Sequence, residues 1–379
     1  MADLDDRFPA LEDLRARARK RIPHFVWEYF DSGTGTGAAQ SRNRADLDAV
    51  LLAPAILKGP VTPDLSCSIL GQSFTAPIGI APVGMSGVIW PDAERLLARL
   101  AAQQGIPYCL STVAAQSPEV IGPIAGARGW FQLYPPTDPD IRRDMLRRAR
   151  EAGFSALIMT VDLAVMSRRE RQRRSGLTNP PRITPRLAAQ VAMRPAWALA
   201  MQPLGLPRMR TLEPYVDMGK GLPSGAHAGT MMRTAPDWEY LAALRDEWDG
   251  PLIIKGVLGA SDVPRLAQVG VDGIWVSNHA GRQFDAAPSG LSALKAVRAA
   301  AGPDMPIIYD GGIESGLDVL RALAHGADFT MLGRAWHYGL GAAGAAGARQ
   351  VLHILSEDMK ACMGQMGIAR PEEVRTHLL

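Results

Sequence analysis

Cysteine is scarce: the three in the chain, Cys67, Cys109 and Cys362, lie far apart and form no CxxC pair. That excludes a disulfide framework and fits reduced thiols packed in a cytosolic protein. Long apolar runs are absent too, and nothing approaches the ~20 residues that a conventional membrane-spanning helix needs. The opening MADLDDRFPALEDL is acidic and has no apolar stretch, so it does not read as a secretory signal. No HxH or HExxH occurs, and His24, His227, His325, His337, His353 and His377 are scattered, so no metal centre is expected.

Acidic residues are missing from one stretch. Between Arg168 and Arg210 there are ten arginines and a single acid, Glu170, a local charge of +9. The whole chain carries only +3, so the remainder totals −6. A general nucleic-acid binder would spread its basic residues, and no zinc-finger, RRM or KH pattern accompanies these, so no nucleic-acid partner is expected. At 47% hydrophobic and 21% charged, the 379 residues have the make-up of a globular chain with a large core, which argues against disorder.

Eight short apolar runs recur along the chain: 76–82, 106–111, 129–134, 154–162, 251–256, 273–279, 305–312 and 328–334. Helical patterns such as DAERLLARLAAQQG and GLDVLRALAHG separate them, several stopped by glycine. Alternating β and α units imply a parallel sheet, and eight of them suit an α/β fold of the closed (β/α)8 TIM-barrel type. An open, doubly wound sheet is the structural alternative. We expect one domain over 1–379, with the barrel at about 74–340 and helices over roughly the first 60 residues. An insert at about 163–250, between the fourth and fifth strands, holds the arginines and a helix-like run, PRLAAQVAMRPAWALAMQPLG. It reads as an excursion over the barrel mouth. The early SGTGTGAAQ follows a helix-like run and no strand, so it reads as a helix cap and turn and not as a dinucleotide loop.

In a TIM barrel, chemistry gathers at the C-terminal ends of the strands. Those ends carry Pro82, Ser111, Gln132 with Tyr134, Thr160 with Asp162, Lys255, Ser277 with His279, Asp310, and Gly333 with Arg334. A structural barrel has no reason to ring one rim with hydrogen-bonding groups. Within VSNHAGRQFD, His279 and Arg282 stand three residues apart after a strand. Imidazole takes a proton near neutrality, and guanidinium clamps a carboxylate with paired hydrogen bonds, so the two suit proton abstraction from an anionic substrate.

With these strings in order (YFDSG, APVG, LST, FQLY, TVD, SRRE, IKG, SNHAGRQ, DGG and LGR), nearly the whole chain resembles the FMN-dependent L-2-hydroxy acid oxidase and dehydrogenase family. That family includes glycolate oxidase, L-lactate dehydrogenase and mandelate dehydrogenase. APVG, LSTV, RSGL and WDGPLIIKG look nearest to the bacterial respiratory L-lactate dehydrogenases.

The resemblance implies FMN and a small 2-hydroxy acid. Tyr29, Arg169 and Arg282 would bind the substrate carboxylate, and Tyr134 the hydroxyl oxygen. His279 would be the base, with Asp162 stabilising it once protonated; that pairing is expected to raise the imidazole pKa. Lys255 would stand by flavin N1 and O2, where reduction builds negative charge. Pro82, Val83, Gly84, Ser111, Gln132, Thr160 and Ser277 would hold the ring. Asp310, Gly311, Gly312, Gly333 and Arg334 would take the ribityl chain and phosphate. A homo-oligomer, a tetramer, is also implied.

Two positions depart from the family pattern. Glu314 stands where a phosphate-binding arginine is usual, and is expected to turn outward and leave the phosphate to backbone amides and Arg334. Val113 replaces the aromatic residue of the glycolate oxidases, leaving room for a side chain larger than glycolate's. Gly84, an alanine in many oxidases, favours a dehydrogenase. The basic insert, with Trp197, Leu199, Met201 and Leu204 among arginines, suits a peripheral position on the anionic inner face of the cell membrane, where quinone accepts the electrons. The alternatives are an oxygen-using oxidase, with the insert as a solvated lid, and a membrane-associated scaffold that has lost FMN.

Overall fold

The computed structural model describes residues 2–177, 184–205, 207–215 and 235–379. Ten strands are present among them. A hairpin of β1 (Cys67–Ile69) and β2 (Gln72–Phe74) comes first, and was not foreseen in the sequence. Its two-residue turn, Leu70 and Gly71, has φ of 53° and 72°, the paired left-handed geometry that matches strand twist in a tight hairpin.

The other eight strands form a closed parallel barrel, which rules out the open sheet. They are β3 (Ile78–Ile80), β4 (Tyr108–Ser111), β5 (Gly129–Leu133), β6 (Ala156–Thr160), β7 (Leu252–Val257), β8 (Gly273–Val276), β9 (Ile307–Tyr309) and β10 (Phe329–Leu332). Each pairs with its neighbour in sequence, and β10 closes the ring on β3 through Thr330–Ile78, Met331–Gly79 and Leu332–Ile80. Prolines at 77 and 82 bracket β3; proline cannot donate to a ladder, which keeps this strand short.

Large side chains fill the barrel. Trp130, Trp275 and Phe329 are fully buried inside it, and Phe74 of the hairpin packs edge-on to Trp130 and Phe329 at 6.2 and 5.5 Å between ring centroids. The hairpin, which precedes the first barrel strand, thus plugs the floor opposite the strands' C-terminal rim. Truncating one of these aromatics would cost about 3–5 kcal/mol in lost burial and cavity.

Helices Leu11–Arg21, His24–Asp31 and Ala38–Asp48 precede the barrel as expected; SGTGTG is the turn between the last two, and the AAQ after it opens the third. The final helix, Arg334–Met366, is broken at Ala343 and Gly344 and lies along Leu11–Arg21, where a Cβ on Gly341 would come within 3.0 Å of the Ala18 Cβ.

The run at 185–205 is two helices, Pro185–Ala192 and Pro195–Met201, each with proline in its first turn. Proline lacks the N–H that a continuous helix would require, so Pro195 starts a new one. Leu187, Trp197 and Met201 are buried, and the Trp197 indole N–H lies 3.2 Å from the carbonyls of both Val88 and Ile89. The insert therefore packs as a roof on the loop after β3. Its arginine at 182, and residues 178–183 and 216–234, lie outside the described residues.

Candidate active site

The barrel rim and the roof enclose a cavity of about 1240 Å³ with mainly apolar walls. Tyr29, Pro82, Val83, Gly84, Gln132, Tyr134, Thr160, Arg169, Lys255, His279, Arg282, Asp310, Gly311, Gly312, Gly333 and Arg334 all line it. Among the residues expected at the site, Ser111, Asp162 and Ser277 do not line it, and each stands behind one that does.

Strand register explains the ring end. Ser111 pairs with Gln132 and Thr160 with Lys255 across adjacent strands, so neighbouring strand ends present neighbouring polar groups. The Ser111 hydroxyl donates to Gln132 Oε1 at 3.0 Å, and Gln132 Nε2 donates to Thr160 Oγ1 at 3.0 Å. Lys255 Nζ donates to Ser277 Oγ at 2.8 Å and lies 3.2 Å from Asp310 Oδ2. The same Asp310 accepts from the Ser277 hydroxyl (2.6 Å) and the Trp275 indole (3.0 Å). Asp310 thus contacts Lys255 directly, and a tryptophan of the barrel core anchors its carboxylate.

His279 sits on a backbone of left-handed φ, 55°, followed by Ala280 at 53°. Such conformations cost free energy and cluster at functional sites. A buried amide pair holds the turn: Asn278 and Asn43 exchange side-chain hydrogen bonds of 2.7 and 2.9 Å, and Asn278 Oδ1 also accepts from the Gly281 N–H. Behind the ring, Nδ1 is 2.9 Å from Asp162 Oδ1, and Nε2 has no partner among the described residues.

The expected rise in the His279 pKa is corrected. Burial dominates and lowers it; Asp162 raises it, but the charges of Lys255 and Arg169 act with burial. Burial alone would raise the Asp162 pKa, but His279 and Lys255 outweigh it and keep the carboxylate ionised. The pair at neutral pH is imidazole beside carboxylate.

Two arginines face this base. Arg282 donates to the carbonyls of Tyr29 (2.7 Å), Phe30 (3.0 Å) and Ser32 (2.8 Å), so the C-terminal turn of His24–Asp31 aims it. Burial, then the charge of Arg169, pulls its pKa down to about 9, which still leaves it a cation at neutral pH. Arg169 has a buried Nε with no partner among the described residues, on a backbone of φ 45°. An orphaned buried donor beside a second guanidinium is what an anionic ligand would satisfy.

The Tyr29 hydroxyl donates to the Gly84 carbonyl at 2.9 Å, tying the substrate side to the loop after β3. Tyr134 has its pKa pushed up, mainly by burial, so its hydroxyl stays a donor. Val113 packs on Gly84 so closely that a Cβ there would meet its Cγ2 at 2.6 Å.

At the far end, Gly311 and Gly312 have φ of 113° and 82°, and Arg334 begins the last helix. Backbone that only glycine adopts easily, a helix N-terminus and a cation make a cradle for phosphate. Together with Lys255 at the ring end, this donor set fits FMN. Glu314 does not simply turn outward: its side chain is 49% exposed, yet it also lines the cavity.

Sequence reasoning missed several supporting groups: Asn43; Glu94, whose buried carboxylate accepts from the N–H groups of Gly87 and Ala115; and Asp31, which joins helices through Arg15, Arg171 and Tyr338. None follows a barrel strand, and only their three-dimensional neighbours reveal them.

The model of the FMN-dependent dehydrogenase family matches residues 18–379. The L-lactate dehydrogenase of Caulobacter vibrioides (strain NA1000 / CB15N) is 37% identical over 358 residues, 94% of this chain and 93% of that one. Among solved structures, the monotopic membrane protein (S)-mandelate dehydrogenase superposes with a TM-score of 0.92 at 31% identity, over 98% of both chains. A mandelate oxidase with 3,3-difluoro-2-hydroxy-3-phenylpropionic acid does so at 0.81 and 32%, again over 98% of each.

Proposed function

Because the chain belongs to the FMN-dependent dehydrogenase family and is an FMN-dependent L-2-hydroxy acid dehydrogenase, we propose that His279 is its base and that its electrons pass to quinone at an anionic membrane surface. The observation that carries the first part is the 2.9 Å contact of His279 Nδ1 with Asp162, beside a cavity that also holds Arg169 and Arg282. The carboxylate takes the Nδ1 proton's hydrogen bond and so fixes the tautomer with a lone pair on Nε2.

Arg169 and Arg282 hold the substrate carboxylate. Tyr134 donates to the substrate hydroxyl oxygen, and Nε2 of His279 takes the hydroxyl proton. Asp162 then stabilises the imidazolium. Fixing the acid against its base in contact geometry supplies much of the rate. FMN, when bound, supplies the two-electron acceptor. Lys255 and Gln132 would hold its ring end; Gly311, Gly312, Gly333 and Arg334 would hold its phosphate. The roof lies over the cavity that holds these groups, with Leu187, Trp197 and Met201 in its wall.

The membrane reading rests on the roof's outer face. Met193, Leu199 and Leu204 are 62, 67 and 50% exposed, within the segment of charge +9. Exposed apolar groups among arginines suit an anionic interface. The (S)-mandelate dehydrogenase that superposes on this chain is itself a monotopic membrane protein, which supports a peripheral position. No described helix is long and apolar enough to cross a membrane.

The test is anaerobic bleaching of the flavin by the L and D forms of lactate and mandelate. His279→Gln is expected to keep the flavin and slow its reduction by roughly 10²-fold or more, as loss of a general base does. Near-normal reduction would remove His279 from the role.

A further inference from the structure

The phosphate end of the cavity contains a charge that works against it. Glu314 lines the wall beside Gly311 and Gly312. Its backbone N–H donates to Asp318 Oδ2 at 3.0 Å, which pins the main chain and leaves the carboxylate at the rim. Like charges at contact distance in a surface-like dielectric cost affinity on the order of tenfold or more. A phosphate dianion placed against Arg334 alone would meet that repulsion.

The compensating cation comes from outside the barrel. Arg15, on helix Leu11–Arg21, lines the same cavity. Its Nη1 stands 3.9 Å from Glu314 Oε1, and its Nη2 donates to Asp31 Oδ1 at 3.2 Å. The guanidinium lies over the Tyr338 ring, 5.6 Å from the centroid, and the Tyr338 hydroxyl donates to the same Asp31 carboxylate at 2.8 Å. The Asp31 carbonyl accepts from Arg334 at 3.3 Å. One residue therefore holds both arginines, Arg15 by its side chain and Arg334 by its backbone. At 3.9 Å, Nη1 is beyond hydrogen-bonding distance of Glu314, and no other described acceptor takes it, so its donors are available.

We propose that Arg15 is a second phosphate-binding cation of the FMN site. Glu314 is its counter-charge: the carboxylate draws Arg15 to the rim, and Arg15 cancels the carboxylate's repulsion and donates through Nη1 to the phosphate. This rests on the FMN site and is independent of the base and of the electron acceptor.

The test compares FMN with riboflavin, which lacks the phosphate, by titrating apo-protein and following flavin fluorescence. Arg15→Met is expected to weaken FMN about three- to tenfold, the range for a partly exposed charge contact, and to leave riboflavin unchanged. Arg15→Lys should recover part of the loss. Glu314→Gln should tighten FMN by a similar factor, and the double variant Arg15→Met/Glu314→Gln should return close to the parent. Equal losses for both flavins would show that Arg15 acts only as a structural tie to Asp31, and would overturn the proposal. So would an unchanged ratio of the two affinities in Arg15→Met or, should that variant not fold, in Glu314→Gln. Apo-protein that binds neither flavin would instead count against the FMN site itself.

Discussion

A Cβ on Gly256 would lie 2.6 Å from the Cβ of Asp162, so the carboxylate behind the base occupies space that only a glycine leaves open. Gly256 also has φ of 105°, which L side chains rarely adopt. Gly256→Ala is therefore expected to push Asp162 off His279. Flavin content should persist, because the phosphate cradle is at the other end of the cavity. Stopped-flow reduction should slow by about tenfold or more, the scale of a misplaced catalytic group. A normal rate in Gly256→Ala would mean that Asp162 does not position the base.

The pH profile follows from the direction of the His279 shift. The base must be neutral to accept a proton, and burial holds its pKa below the ordinary 6.5. Reductive kcat/KM should thus rise with pH along an acid limb below 6.5 and be flat at neutrality. Asp162→Asn removes a group that raises this pKa, so the limb should move further towards acid while the plateau falls. A limb above 6.5 in the parent enzyme would contradict the burial argument.

The two arginines should separate in their effects. Arg169 Nε has no partner among the described residues, so Arg169→Met is expected to raise KM by roughly tenfold or more and leave the melting temperature intact. Arg282 also satisfies three backbone carbonyls. Arg282→Met should raise KM and lower stability as well, because a buried carbonyl left unpaired costs about 1–3 kcal/mol. Calorimetry beside steady-state kinetics reads both; equal melting temperatures would mean that water replaces the guanidinium without loss.

The roof can be tested without removing it. Shortening 177–209 would strip Leu187, Trp197 and Met201 from the core, so point changes on the outer face are preferable. Met193→Glu, Leu199→Glu and Leu204→Glu together should abolish co-sedimentation with phosphatidylglycerol vesicles at low salt. Flavin reduction by the hydroxy acid should be unchanged, since none of the three lines the cavity. Failure of the parent protein to sediment at low salt would make the segment a lid, with oxygen or a soluble carrier as acceptor.

The barrel was legible because its signal is local. Each strand is a short apolar run, and each run ends on a polar group, so reading the ends of eight runs reached His279, Lys255 and Tyr134 without knowing which helices pack where. What escaped depends on distance in the chain. Asn43 meets Asn278 from 235 residues away, and Arg15 meets Glu314 from about 300, through docking of the N-terminal helices that no periodicity encodes. The His279 pKa was misjudged for a related reason. Its partner Asp162 was visible in the sequence, but the burial that outweighs the partner belongs to the assembled cavity.

Closure of the barrel also has a consequence for how the protein is made. Strand β3, which leads into the Gly84 loop, is sealed to β10, which leads into Gly333 and Arg334, by three residue pairs and by the Trp336 indole on the Gly79 carbonyl at 3.2 Å. These two walls of one cradle are separated by some 250 residues of synthesis. A nascent chain on the ribosome has neither a ring of strands nor a complete flavin cradle until its last strand emerges, and until then it carries exposed strand edges, the condition that invites aggregation. A complete flavin cradle therefore requires the last strand, and the helix Arg334–Met366 that follows it packs back on Leu11–Arg21 and so joins the end of the chain to its beginning.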